Sequence, residues 1–208
     1  MIALRVTVPI ACWRKGHARQ YLETEMLPPP ATCYGFLLSL VGEEDRSLHR
    51  GVRVTAGLSN SPEISVVLRT MWRCKNRKEA PGVGLNACPD YQQLAVGADL
   101  IVWCDSSSEP NSFPRLEKRV ERAIREPASI QRHGGLSLGE STHLINEISI
   151  LKKDIPCAST FLLNAGGDLT LPVWVDHVGS SKTRFAVGNL ERIASPPAVD
   201  RVPQIPFP

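Results

Sequence analysis

Ile2, Leu4, Val6 and Val8 alternate with Arg5 and Thr7, a period of two that predicts a half-buried first strand ending between Pro9 and Trp13. Pro28-Pro29-Pro30 then holds the chain extended before the compact apolar run Ala31 to Val41. That run reads as a helix: Phe36 with Leu40 and Leu37 with Val41 stand four apart, and Gly42 follows as a stop. Because it is apolar nearly all round, the helix is expected to be buried. Val52 to Leu58 and Ile64 to Arg69 read as two strands joined through Ser59-Asn60-Ser61-Pro62 into a hairpin.

Pro81, Gly82, Gly84 and Pro89 break the next stretch, and strand character returns from Leu94 to Cys104. Ser112-Phe113-Pro114 opens a second helix with Leu116, Val120, Ala123 and Ile124 on one face and Arg and Glu on the other, where Glu121 can pair with Arg125. Leu144 to Leu151 is a closing strand, and Phe161 to Leu163, Leu171 to Val175 and Thr183 to Val187 supply further ones. The order is βαββαβ, which predicts an α+β, ferredoxin-like (RRM-type) sheet with helices on one face. The expected division is a main domain over 1–151, with a basic hairpin inserted at about 69–93, and a small β extension over 152–195. The proline-rich end over 196–208 is expected to lie along a surface.

Composition narrows this picture. The 208 residues are 42% hydrophobic and 22% charged, values of an ordinary globular domain, so disordered, fibrous and supercharged classes are set aside. Seventeen prolines argue for many loops and against a helical bundle. The net charge is only +3, so any affinity for a polyanion must come from local placement of cations. No apolar run is long enough to span a bilayer and no signal segment leads the chain, so a cytoplasmic protein without membrane contact is expected. The six cysteines form no C-x-x-C pair, which points to reduced thiols, no metal site and no cofactor.

Three constellations carry candidate chemistry. Between Arg69 and Lys78 five cations (Arg69, Arg73, Lys75, Arg77 and Lys78) surround Met71 and Trp72 with no acid among them. Guanidinium and ammonium groups hold phosphates while an exposed Trp72 or Met71 stacks on bases, although a charge run is also how a plain solvated loop looks. Gly134, Gly135 and Gly139, interleaved with Ser137 and Ser141 and preceded by Arg132 and His133, make a loop whose amides and hydroxyls suit phosphate oxygens. An ordinary glycine turn is the alternative, because the lysine and spacing of a P-loop are missing. Around Arg14 and Arg19, the set Lys15, His17 and Tyr21 suits phosphate contact or metal-free RNA cleavage, with histidine taking the 2′-hydroxyl proton and lysine stabilising the phosphorane. His49, His143 and His177 stand at no ligand spacing and read as structural.

Leu27-Pro28-Pro29-Pro30-Ala31-Thr32-Cys33-Tyr34-Gly35, Leu37-Leu38-Ser39-Leu40-Val41-Gly42 and Gly134 to Ser141 together resemble the Cas-five family of CRISPR-associated RAMP proteins, with wording similar to its type I-B-like branch. The resemblance covers about residues 1 to 150. It implies a ferredoxin-like domain with a hairpin thumb, which fits the basic excursion, and a glycine-rich loop at Gly134 to Ser141. It implies a noncatalytic subunit of the Cascade surveillance complex that caps the 5′ repeat-derived handle of CRISPR RNA. The partners so implied are that RNA, the large subunit, the first backbone subunit of the Cas-seven family and, through the assembled complex, target DNA. One branch of the family cleaves repeat RNA, and Lys15, His17 and Tyr21 are the comparable cluster here. A protein-only scaffold, its basic excursion facing an acidic partner, is the remaining alternative.

Overall fold

The computed structural model describes residues 1–16, 21–72, 75–109 and 114–206. In chain order the elements are β1 (Ile2–Ala11), β2 (Tyr21–Leu22), α1 (Pro30–Leu40), β3 (Arg53–Leu58), β4 (Glu63–Trp72), β5 (Ala87–Asp105), α2 (Leu116–Arg125), β6 (Glu147–Leu151), β7 (Ala158–Leu163), β8 (Leu169–Trp174) and β9 (Arg184–Ile193). The strands form one mostly antiparallel sheet in the order β6-β1-β5-β3-β7-β9-β8, with β2 and β4 attached to β5 outside that path.

The period of two in β1 puts Leu4, Val6 and Val8 on one face, beside Val54 of β3 and Leu100 and Val102 of β5. That face is closed by Phe36 and Leu37 of α1 and by Leu116 and Val120 of α2, so both helices lie on the same side of the sheet. A smaller cluster of Ala3, Ile101, Trp103 and Ala158 packs on the opposite face under Ile155 and Ile193. The buried surface of α1 is less complete than its apolar sequence predicts: Gly35 is exposed, and Thr32 and Ser39 are half-buried.

The expected hairpin of β3 with β4 does not form. Both strands run antiparallel to the same long strand, β3 against its second half (Arg53↔Asp105 to Leu58↔Leu100) and β4 against its first (Glu63↔Val96 to Trp72↔Ala87). Between them the four residues 59–62 stand opposite only 97–99, which shifts the register by one. The step is sealed by Ser59 N–H and Oγ–H donating to Asp99 O, and by the Asn60 amide, which donates to Gly97 O and accepts from Asp99 N–H. Gly97 takes φ +69° there, a conformation that a side chain disfavours. Pro89, expected to break the chain, lies inside β5, tolerated because β5 has only β4 beside it at that point among the described residues.

Two further expectations are corrected. The proline-rich end pairs with β3: Ile205 N–H donates to Val52 O, Gly51 N–H to Ile205 O and Val54 N–H to Pro203 O, and the side chains of Val202 and Ile205 are fully buried. Arg119, placed by pattern on the solvent face of α2, turns inward to Glu43 (2.6 Å), Val41 O and His49 Nε2 (2.8 Å). A guanidinium only donates, so Nε2 accepts and His49 Nδ1–H donates to Glu109 (2.8 Å), a buried network that pins α2 to the end of α1. The solvent-side pairs of α2 are Lys118 with Glu121 and Arg122 with Glu126 rather than Glu121 with Arg125.

Candidate functional site

Parts of the three constellations, far apart in sequence, meet at one end of the sheet: the segment after β1, Arg69 at the start of the basic excursion, and the glycine-rich loop. Leaving β1, the chain doubles back: Trp13 N–H donates to Thr24 Oγ1 (3.0 Å), Glu25 N–H to Trp13 O (2.7 Å), Lys15 N–H to Glu23 O (3.0 Å), and Arg14 bridges to Thr24. Trp13, buried, donates from its indole to Leu138 O in the glycine-rich loop. His143 Nδ1 accepts from Cys12 N–H (3.1 Å), and burial holds its basicity below the ordinary imidazole value. Gly139, at φ +128°, lies so close that a Cβ would sit 3.0 Å from Cys12 O. The loop is therefore a closed turn, with Leu138 N–H on His143 O and Ile145 N–H on Leu136 O, seated against the end of β1.

The same loop is tied to the base of the β4–β5 ribbon. Glu140 accepts from Arg69 (3.0 Å) and from the Gln92 amide (2.9 Å), while Arg69 also donates to Gln92 Oε1 (2.5 Å). Gln93 accepts from Thr24 N–H, and Tyr21 and Leu22 of β2 run parallel to Tyr91 and Gln92. The segment after β1, the glycine-rich loop and the ribbon base thus form one hydrogen-bonded unit.

Up to that base the ribbon exposes Ile64, Val66, Leu68 and Tyr91 on one face, and beyond it the ribbon projects. Its tip is folded rather than loose. Asn86, fully buried, accepts from Asn76 N–H and donates to Asn76 O, Glu79 O and Ala80 O, while Glu79 accepts from Asn76 Nδ2 and Leu85 N–H. Lys75, Arg77 and Lys78 are exposed on this scaffold. Trp72 is 74% exposed, one face of its ring resting on Gly82, where a Cβ would come within 2.7 Å. An indole this exposed offers surface for stacking.

The predicted residues separate accordingly. Trp72, Lys75, Arg77 and Lys78 gather on the ribbon tip, and Arg132, His133, Gly134, Gly135, Gly139 and Ser141 are exposed in the glycine-rich segment, with Ser137 half-buried. Arg69 holds the ribbon base together through Glu140, and Met71 lies within β4. Lys15 stands 3.9 Å from Glu23, and Tyr21 is half-exposed in β2. His17, Arg19 and Arg73 lie outside the described residues, so the Lys15, His17 and Tyr21 set cannot be assembled here. Sequence reasoning missed Gln92, Asn76, Asn86 and Glu140, each of which positions the site. None carries a local sequence signal, because each acts through a partner brought close only by the fold. Cys12, Cys33 and Cys104 are buried free thiols, whereas Cys157 is exposed and Cys88 partly so; burial pushes the Cys12, Cys33 and Cys104 thiols up. Among the described residues no group of three or more His, Cys, Asp or Glu could hold a metal ion, and no helix is long and apolar enough to cross a membrane.

No protein-family model matches the chain. It is 61% identical over 209 residues, covering 100% of this chain and 98% of its relative, to a protein of Myxococcus xanthus (strain DK1622) described as CRISPR-associated protein Cas5. Among solved structures, a chain of a CRISPR RNA-guided surveillance complex superposes with a TM-score of 0.55 at 10% identity, over 92% of this chain and 88% of the other. A structure titled crystal structure of Cas protein superposes with a TM-score of 0.51 at 15% identity, over 99% of both chains. Identity of this extent along the whole length settles the family, and the fold is shared with solved CRISPR proteins: the chain belongs to the Cas5 family of CRISPR-associated proteins.

Proposed function

We propose that this chain is the noncatalytic subunit that caps the 5′ repeat-derived handle of CRISPR RNA in a type I Cascade complex. The strand order β6-β1-β5-β3, with helices after β1 and β5, is read as the ferredoxin-like arrangement, and the β4–β5 ribbon as its thumb. The observation that carries the reading is the convergence of a cationic, tryptophan-bearing ribbon with a glycine-rich loop on one hydrogen-bonded base.

The chemistry suits a splayed single strand. Lys75, Arg77 and Lys78 supply phosphate contacts, the exposed Trp72 ring takes a base, and Arg132 with the Ser137 and Ser141 hydroxyls meets the backbone at the loop. The exposed apolar face of the ribbon, Ile64, Val66 and Leu68, suits a neighbouring subunit, by the family resemblance the large subunit or the Cas-seven backbone subunit. Target DNA is reached through that assembly, in the cytoplasm, and the type I-B-like branch is the assignment we favour.

The test is to incubate the purified chain, with and without excess chelator, with end-labelled repeat RNA and to run native and denaturing gels in parallel. A native shift with intact RNA is expected. Chelator-resistant shortening of the RNA would replace the cap by a processing nuclease, and absence of both would leave a protein-only scaffold.

A further inference from the structure

Gly35 sits in the interior of α1, where glycine weakens a helix relative to alanine, yet nothing in the fold requires it. Its φ is not left-handed, and a Cβ built on it meets nothing within 4 Å. What Gly35 does is leave bare backbone at the floor of a groove. Two cavities of about 300 and 270 Å³ share Gly35, Ser39 and Arg46, volumes at the small end of ligand sites. One wall is the glycine-rich loop, through Ser137 and Gly139, and the other is the segment after β8, through Val175 and His177. Arg132 and His133 stand at the far end.

The groove is lined by two guanidinium groups, Arg46 and Arg132, and two carboxylates, Glu43 and Glu44. Arg46 stacks on Trp174 at 3.9 Å and is steadied by one hydrogen bond to Val175 O (2.9 Å), while Arg50 stacks on the same ring at 4.5 Å. The guanidinium keeps further donors for an incoming anion. The nearby acids are engaged, Glu43 by Arg119, Glu44 by His133, and Asp176 by the backbone N–H groups of Val178, Gly179 and Lys182. Gly139, which lines the groove, is one residue from Glu140, the carboxylate that holds the ribbon base.

We infer that the α1 groove is a second stretch of the nucleic-acid path, in which the sugar-phosphate backbone of single-stranded RNA lies against the bare helix at Gly35 and one phosphate is held by Arg46. This deepens the RNA-binding reading and rests on it. The strand would pass from the ribbon over the glycine-rich loop and along α1, and the close approach at Gly35 is what a side chain there would block.

The test is fluorescence anisotropy of the full chain with a fluorescein-labelled RNA carrying the repeat of its own CRISPR array, at several salt concentrations. Gly35→Leu is expected to melt at or above the wild-type temperature, because it improves helix propensity in open space, and to bind at least tenfold more weakly (about tenfold as a minimum for a blocked backbone path). Arg46→Gln is expected to weaken binding and to flatten the slope of log affinity against log salt by about 0.7, one single-strand phosphate contact. If Gly35→Leu melts below wild type, the Arg46→Gln slope decides. Wild-type binding by both variants, with loss on replacing Lys75, Arg77 and Lys78 by alanine, would overturn the groove and leave the RNA reading standing. No binding by the wild-type chain would sink both.

Discussion

The two halves of β5 are one continuous strand in two environments. From Leu100 to Asp105 every residue is buried, flanked by β1 on one side and β3 on the other. From Ala87 to Tyr91 the strand has, among the described residues, β4 alone beside it until β2 joins, and much of its surface faces solvent. The inner half secures the sheet, and the outer half uses that anchorage to project a cationic loop and Trp72 away from it. The strand's own residues change from Pro89, Asp90, Gln92 and Gln93 to Leu100, Ile101, Val102 and Trp103, but its neighbours do not: Ile64, Val66 and Leu68 beside the outer half are as apolar as Val54 and Ala56 beside the inner, and differ in being uncovered.

The contrast breaks most sharply with Leu100→Ala, expected to cost about 2–5 kcal/mol in urea unfolding as a fully buried truncation. Gly97→Val, at the step between the halves, forces a branched side chain to φ +69° and is expected to cost about 1–2 kcal/mol, read from the same midpoints. Leu68→Ala, 63% exposed, is expected to change stability by less than about 0.5 kcal/mol. A loss comparable to that of Leu100→Ala would show that the ribbon is part of the core.

Acidity sharpens the comparison at the ribbon base. Burial lowers the pKa of His143 from its ordinary 6.5, opposed by Glu140, with Arg69 lowering it further. Its folded state therefore binds fewer protons than the unfolded chain, so its contribution is whole above 6.5 and is lost as pH falls below that value toward the folded pKa. The wild-type melting temperature should fall through this window, ahead of carboxylates such as Glu43 and Asp105 whose pKa values are lowered from 4.5 and 3.8. His143→Gln should flatten that part of the profile.

How much of this was legible follows from the same contrast. The strand over Ile2 to Val8, both helices and the three strands from Ala158 onward form close to where their apolar positions place them, because burial of those side chains is recorded in the pattern. The ribbon was legible only as a basic excursion starting at Arg69, since Ile64, Val66 and Leu68 look like a core face and alternation does not record whether anything covers it. Glu140 and Arg69 are 71 residues apart, so their pairing left no local signal. The terminal segment hid Val202 and Ile205 among prolines, although proline is no obstacle at a sheet edge where few N–H groups must donate.

The measurement that bears most directly on the central claim is the salt dependence of repeat-RNA binding by the intact chain, beside a variant with Lys75, Arg77 and Lys78 replaced by alanine. With about five phosphate contacts the slope of log affinity against log salt should be about −3.5, and the ribbon variant should flatten it by about 2 while melting like the wild type. A wild-type slope near zero, or identical slopes for the two proteins, would contradict the account.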